Sequence, residues 1–261
     1  MNIKEVAQTL ERFAPLPLQE SYDNAGLQIG LTEAQDVSGV LLCLDVTEEV
    51  IDEAVRNGCN LIVAHHPLLF RSVKCVDGTT QVTRCVQQAI RKGVAIYAAH
   101  TNLDNAFGGV NFKIAEKIGL RQVEFLQPVA GGQGGSGVIG ELSAEMDAFD
   151  FLRMIKERFA VDCLMHNQGP QRTVKRVALC GGAGDFLVDE AIRKEADAFI
   201  TGEMSYHRYF GHENDILIAV LGHYQSEQYT VQLLHEILAK AFPGLKLVET
   251  TVNTNPIQYL K

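Results

Sequence analysis

The sequence predicts an α/β fold of two interlinked α/β lobes with partly repeated strand-helix-strand units and a metal site in the cleft between them. Three observations carry this expectation. Strand-like and helix-like segments alternate from about residue 37 onward, the order that builds a mostly parallel sheet. The alternation lapses after residue 128 and restarts near residue 173 in similar words. Histidines and carboxylates collect where the strand-like runs stop, the edge at which ligands bind in open α/β sheets.

Taken in order, MNIKEVAQTLERFA has helical apolar spacing, PLPL breaks it, and YDNAGLQIG is turn-rich. VSGVLLCLD reads as a strand, TEEVIDEAVRNG as an amphipathic helix ending at Gly58, and NLIVA as a strand. TTQVTRCVQQAIRKG is a helix, VAIYAAH a strand, and a further helix is expected near 111–118. PVAGGQGGSGVIG, residues 128–140, holds six glycines. It lacks the Lys-Ser/Thr of a P-loop and no clear helix follows, so a loop or hairpin is expected there rather than a phosphate cradle. FDFLRMIKERFA is a helix, a strand is expected near 161–165, and the loop NQGPQRT precedes the restart. The lobes are expected to comprise residues 1–125 with 235–261, and 126–234.

The restart copies the first half. VSGVLLC at 37–43 and VKRVALC at 174–180 share V-x-x-V-x-L-C, and DEAVR at 52–56 matches DEAIR at 189–193, both 137 positions apart. At that spacing NLIVAHH lies over DAFITGE, so His65 and His66 fall on Gly202 and Glu203. After a shorter loop, VAIYAAHTNLD (94–104) lies over LIAVLGHYQSE (217–227), which sets His100 on His223 and Asp104 on Glu227.

Composition narrows the function. The 261 residues are 46% hydrophobic, enough to fill a real core. No apolar run approaches the roughly 20 residues of a membrane helix, and the first residues lack the apolar segment of a signal peptide. A cytoplasmic protein is therefore expected. Six cysteines without a C-x-x-C pair, several inside apolar runs, read as buried thiols in a reducing compartment. A net charge of -9 and a pI near 5.4 weigh against a nucleic-acid backbone as the main partner, leaving room only for a local basic groove.

The residues that carry chemistry stand at strand ends: His65 and His66, His100 and Asp104, His223 and Glu227. Imidazole with carboxylate suits zinc, manganese, iron, cobalt or nickel, and the absence of cysteine from the set disfavours a structural zinc site. Adjacent histidines cannot share one face of a regular strand. Past its end they can diverge toward two positions, as a pair of ions about 3.5 to 4 Å apart requires. Taken singly each residue has a plainer reading: Asp104 and Asp45 as helix caps, with a hydrogen-bond role as the other option for Asp45, and Glu227 as an acid favoured by a helix dipole. Glu203, His100 and His207 are candidates for proton transfer. His166, His212 and His235 have no such setting.

YDNAGLQIG, AHHPLLF, AHTNLDNAFGGVN, ITGEMSYH and GHYQSE follow one another in this order. On these segments the chain resembles the Nif-three-like dinuclear-metal proteins, many of which carry the bacterial label GTP cyclohydrolase 1 type 2 homologue. The resemblance implies that His65, His66, Asp104, His223 and Glu227 hold two divalent metal ions. It also implies a homo-hexameric toroid of two stacked trimers with the metal sites facing an inner cavity. Some members carry an inserted central domain, for which the segment between Gly119 and Thr173 is too short.

The expected function is that of a dinuclear metal protein hydrolysing a phosphate-bearing or nucleotide substrate. The alternatives are a non-catalytic metal-binding hexameric scaffold and a DNA-binding toroid, for which Arg71 and Lys74 are candidate lining residues.

Overall fold

A computed structural model describes residues 1–30, 36–129, 131–169 and 173–260. Ala130 of the glycine-rich segment and residues 170–172 of the loop NQGPQRT lie outside the described residues. The chain divides into two compact units, Met1–Leu103 with Thr230–Pro256 and Asp104–Tyr229 with Ile257–Lys261.

The first unit holds a five-stranded sheet in the order Gly26–Ile29, Ala95–Ala98, Leu61–Ala64, Val40–Cys43, Leu247–Glu249. Only Gly26–Ile29 runs antiparallel to its neighbour. The three central strands are buried at every position, as parallel strands covered on both faces must be. Local chemistry sets the helices between them. Thr47 caps Glu48–Arg56 by accepting from the Val50 N–H, and Gly58 follows in a left-handed turn (φ 65). Thr80 and Thr83 bond reciprocally at the start of Gln81–Lys92, and Gly93 (φ 66) ends it. Leu41, Val50, Ile51, Ile62, Cys85, Ala89 and Ile96 are among the buried residues of this unit's core.

The second unit holds a six-stranded sheet, ordered Arg121–Pro128, Gly135–Asp147, Thr173–Cys180, Ala198–Thr201, Leu217–Val220, Met165–His166. Thr173–Cys180, Ala198–Thr201 and Leu217–Val220 are parallel and the other pairings are antiparallel. Leu126, Ile139, Ala178, Phe199 and Ile218 belong to its core. The glycine-rich segment belongs to a hairpin: Arg121–Pro128 pairs with Gly135–Asp147, starting with Pro128 opposite Gly135. That pairing puts 121–125 in the second sheet, whereas the expected first lobe ran to residue 125; the first unit's opening segment ends at Leu103.

Three further expectations are corrected. The strand near 161–165 shrinks to Met165–His166, the two residues that pair antiparallel with Leu217–Val220. Asp45 does not cap Glu48–Arg56; Thr47 does. The repeat holds in register for two strands but slips in the third. Cys43, Ala64 and Ala98 stand in one row of the first sheet, and Cys180, Thr201 and Val220 in one row of the second. Counting onward from these rows, His100 corresponds to Gly222, and His223 comes one residue later. Gly222 takes φ 101, a conformation open to glycine, and is the residue that displaces the histidine. Four of the six cysteines are buried, Cys75 and Cys163 are exposed, and none forms a disulfide.

Candidate metal centre

In the first unit the donors sit directly at strand ends. The ladder continues one step past Leu61–Ala64, with the His65 N–H donating to the Cys43 carbonyl (3.1 Å) and the His66 N–H to that of Leu44 (2.9 Å). The two imidazoles follow with ring centres 4.8 Å apart. His100, two residues beyond Ala98, places its ring 5.3 Å from His65 and 5.5 Å from His66. One ring nitrogen from each of the three falls within 4.8 Å of the others, so these histidines could hold a metal ion.

Each of these rings is oriented through Nδ1. His65, fully buried, donates from Nδ1 to the Ala99 carbonyl (2.8 Å). His66 donates from Nδ1 to Asp45 Oδ1 (2.7 Å), and His100 from Nδ1 to Asp23 Oδ1 (2.7 Å). A carbonyl or carboxylate oxygen accepts only, so the proton resides on Nδ1 and the neutral ring carries its lone pair on Nε2. A metal-ligating histidine is commonly held by just such an acceptor.

The acceptors are themselves tuned. The Asp23 side chain is fully buried, which by itself would push its pKa up. Hydrogen bonds from His100 and Thr101, with a Coulombic pull from His100 whenever that ring is protonated, instead hold it down at about 2. Burial likewise works to raise the Asp45 pKa, and the hydrogen bond from His66, a Coulombic pull from His66 whenever that ring is protonated, and a hydroxyl from Thr254 bring it below the ordinary carboxylate value. Asp23 was not singled out from the sequence. Its only signal was its place in the segment YDNAGLQIG.

The second unit works differently. Cys180, Thr201 and Leu221 are each followed by glycine, and the short helix His223–Glu227 packs against that backbone. A Cβ on Gly182 (φ 58) would collide with Glu227 Oε1, and one on Gly202 would stand 2.6 Å from Ser226 Oγ. The i,i+4 spacing puts both donors on one helix face, with His223 Nε2 and Glu227 Oε2 3.0 Å apart. A proton or a metal cation satisfies both. His223 Nδ1 is held by Glu203 Oε1 at 2.9 Å, the same arrangement as in the first unit, although here the carboxylate is half exposed.

Asp104 ends the helix Thr101–Asp104. Its carbonyl accepts from Asn111 Nδ2 (3.1 Å), whose Oδ1 accepts the Gly181 N–H (2.9 Å). Asp104 is thereby tied to the strand end that faces Glu227. Asp104, His223 and Glu227 all belong to groups of side chains that could hold a metal ion.

The remaining histidines are placed elsewhere. His207 is exposed on the turn Tyr206–Tyr209 against Tyr206 and Phe210. His166 bonds the Asn167 carbonyl, His212 lies 3.9 Å from Asp215, and His235 pairs with Glu249 at 2.7 Å.

Fold and site together define a mixed α/β protein with histidine and carboxylate groups able to hold a metal ion. The chain matches the family model of Duf34/NIF3 (NGG1p interacting factor 3) over residues 1–256, and it belongs to that family. A Clostridium acetobutylicum relative named GTP cyclohydrolase 1 type 2 homolog is 31% identical over 245 residues, covering 92% of this chain and 91% of its own. The crystal structure of the Staphylococcus aureus hypothetical protein SA1388 superposes with a TM-score of 0.90 at 27% identity, covering 100% of this chain and 99% of its own. A Bacillus cereus protein related to NIF3 gives 0.89 at 25% identity, with the same coverage. No helix among the described residues is long and apolar enough to cross a membrane.

Proposed function

We propose that this protein binds two divalent metal ions through His65, His66, Asp104, His223 and Glu227 and uses them to hydrolyse a phosphate-bearing or nucleotide substrate. One observation carries the reading. His65, His66 and His100, at neighbouring strand ends, bring one ring nitrogen each within 4.8 Å of the others, and each ring is held through Nδ1 by an acceptor-only oxygen, as the rings of metal ligands commonly are. The Nδ1 contact by itself is not distinctive, since His166 and His235 also set Nδ1 against an acceptor-only oxygen; the convergence of ring nitrogens is what a metal centre needs and core packing does not. The donor set of imidazole and carboxylate without thiolate fits a first-row divalent ion.

A dinuclear centre would supply a water acidified toward neutral pH and positive charge to neutralise an anionic substrate. The chain's own residues do the rest. His100, held by Asp23, presents Nε2 as a proton acceptor beside His65 and His66. Glu203 fixes the ring of His223 and, being half exposed, is free to exchange a proton with solvent. His207 stands apart from these groups and is the weakest of the three catalytic candidates. A homo-hexamer remains the assembly proposed from the family resemblance.

The relative's name motivates the first substrates for a test, GTP and other nucleotides, beside simple phosphomonoesters and diesters. The expected result is hydrolysis that requires added metal, disappears in Glu227→Ala and falls in His100→Gln. Tight metal binding without turnover on any of them would favour the metal-binding scaffold instead.

A further inference from the structure

Asp45 accepts from two sides: from His66 Nδ1 at Oδ1 and from the Thr254 hydroxyl at Oδ2, each at 2.7 Å. Thr254 belongs to the chain that leaves the edge strand Leu247–Glu249. That strand lies parallel to Val40–Cys43, and the ladder runs on through the Thr250 N–H to the Leu42 carbonyl (2.9 Å). The chain then crosses the end of the sheet toward Asp45.

Glu53 fastens it on the way. This carboxylate is buried on the helix Glu48–Arg56. Its oxygens accept from the hydroxyls of Thr250 and Thr251 and from the Thr251 N–H (2.9 Å). Val252 packs on the core of the same unit. A buried carboxylate is costly unless its lone pairs are taken up, and here three donors from one segment take them up.

We propose that Thr250–Thr254 is a positioning strap for the metal ligand His66, anchored by Glu53 and acting through the Thr254–Asp45–His66 chain of hydrogen bonds. Thr254 is a positioning residue, since it touches no donor to the metal itself. With one oxygen held by Thr254, the Asp45 carboxylate cannot swing, and its other oxygen keeps the His66 proton on Nδ1. The inference rests on the metal reading of His66 given above.

The test compares Thr254→Val, Thr254→Ser and Glu53→Gln with the wild type in two ways. In metal-free protein, long-range proton–nitrogen NMR of the His66 ring should show a lower Nδ1–H population in Thr254→Val and Glu53→Gln, with Thr254→Ser matching wild type. In titrations with cobalt(II), followed by its visible absorption, Thr254→Val should lose about threefold to tenfold in affinity, below the 10- to 100-fold of a direct partner of the ligand. The serine variant should restore it. An unchanged tautomer and unchanged cobalt binding in Thr254→Val would overturn the strap while leaving the metal centre intact. A wild type that takes up no cobalt would overturn the metal reading and the strap together.

Discussion

The two units carry similar rows of three parallel strands, yet they deliver donors in opposite ways. In the first, imidazoles stand immediately at the strand ends: His65 and His66 after one, His100 after the next, each oriented by a buried or half-buried acceptor. In the second, the positions equivalent to His65 and His100 are the glycines Gly202 and Gly222, that of His66 is Glu203, and the donors sit on the helix His223–Glu227 that rests on this backbone. Placing side chains on a strand end needs only an acceptor for each ring. Placing a helix there needs backbone with no side chain beneath it. One frame thus has two local solutions, and each has its own weak point.

The largest expected effect breaks the second solution. Gly182→Ala puts a methyl group where Glu227 Oε1 lies and forces alanine into a left-handed conformation costing roughly 1 to 2 kcal/mol. Metal affinity should fall about 100-fold or more, as in Glu227→Ala, on the scale lost when a metal site is disrupted. Calorimetric titration of metal into folded variants checks it, and an unimpaired Gly182→Ala would show that the glycines do not set the position of the helix.

Next come the orienting acceptors of the first solution. Asp45→Asn and Asp23→Asn remove the acceptor-only oxygen and permit the wrong tautomer, so each should cost about 10- to 100-fold in metal affinity or activity. Glu203→Gln tests the corresponding partner of His223. Because Glu203 is half exposed and water can replace it, the loss should be smaller, about threefold to tenfold. Equal losses for Asp23→Asn and Glu203→Gln would erase the contrast between a buried and an exposed support.

The smallest effect is on stability and lies away from the donors. Burial alone would raise the Glu53 pKa, but the hydrogen bonds of Thr250 and Thr251 hold it below its ordinary value of 4.5. A depressed carboxylate contributes stability that is present in full above the unfolded pKa and is lost as pH falls through the folded one. Denaturation midpoints of metal-free wild type should therefore decline below about pH 4.5. Glu53→Gln should flatten part of that decline while being less stable at neutral pH.

Much of this was legible in the sequence because it is local. Strand ends show as apolar runs stopping at His65, His100 and His223, and helix starts show as Thr47 and Thr80. Asp104 and Glu227, which belong to groups that could hold a metal ion, stood out in the sequence through the family segments HTNLD and GHYQSE. What was hidden depends on distance along the chain: Asp23 meets His100 across 77 residues, and Thr254 meets Asp45 across 209. Such partners carry no periodicity to betray them. The aligned words also masked the slip at Gly222, since a one-residue offset between two apolar strands costs nothing in sequence similarity.

The most direct test of the metal centre is elemental analysis of the purified protein, wild type beside His65→Ala and Glu227→Ala, in metal ions per chain. The account predicts about two in the wild type and fewer in both variants, one altered at a strand end and the other on the helix. No bound metal in the wild type, even after reconstitution with zinc, manganese and iron, would contradict it.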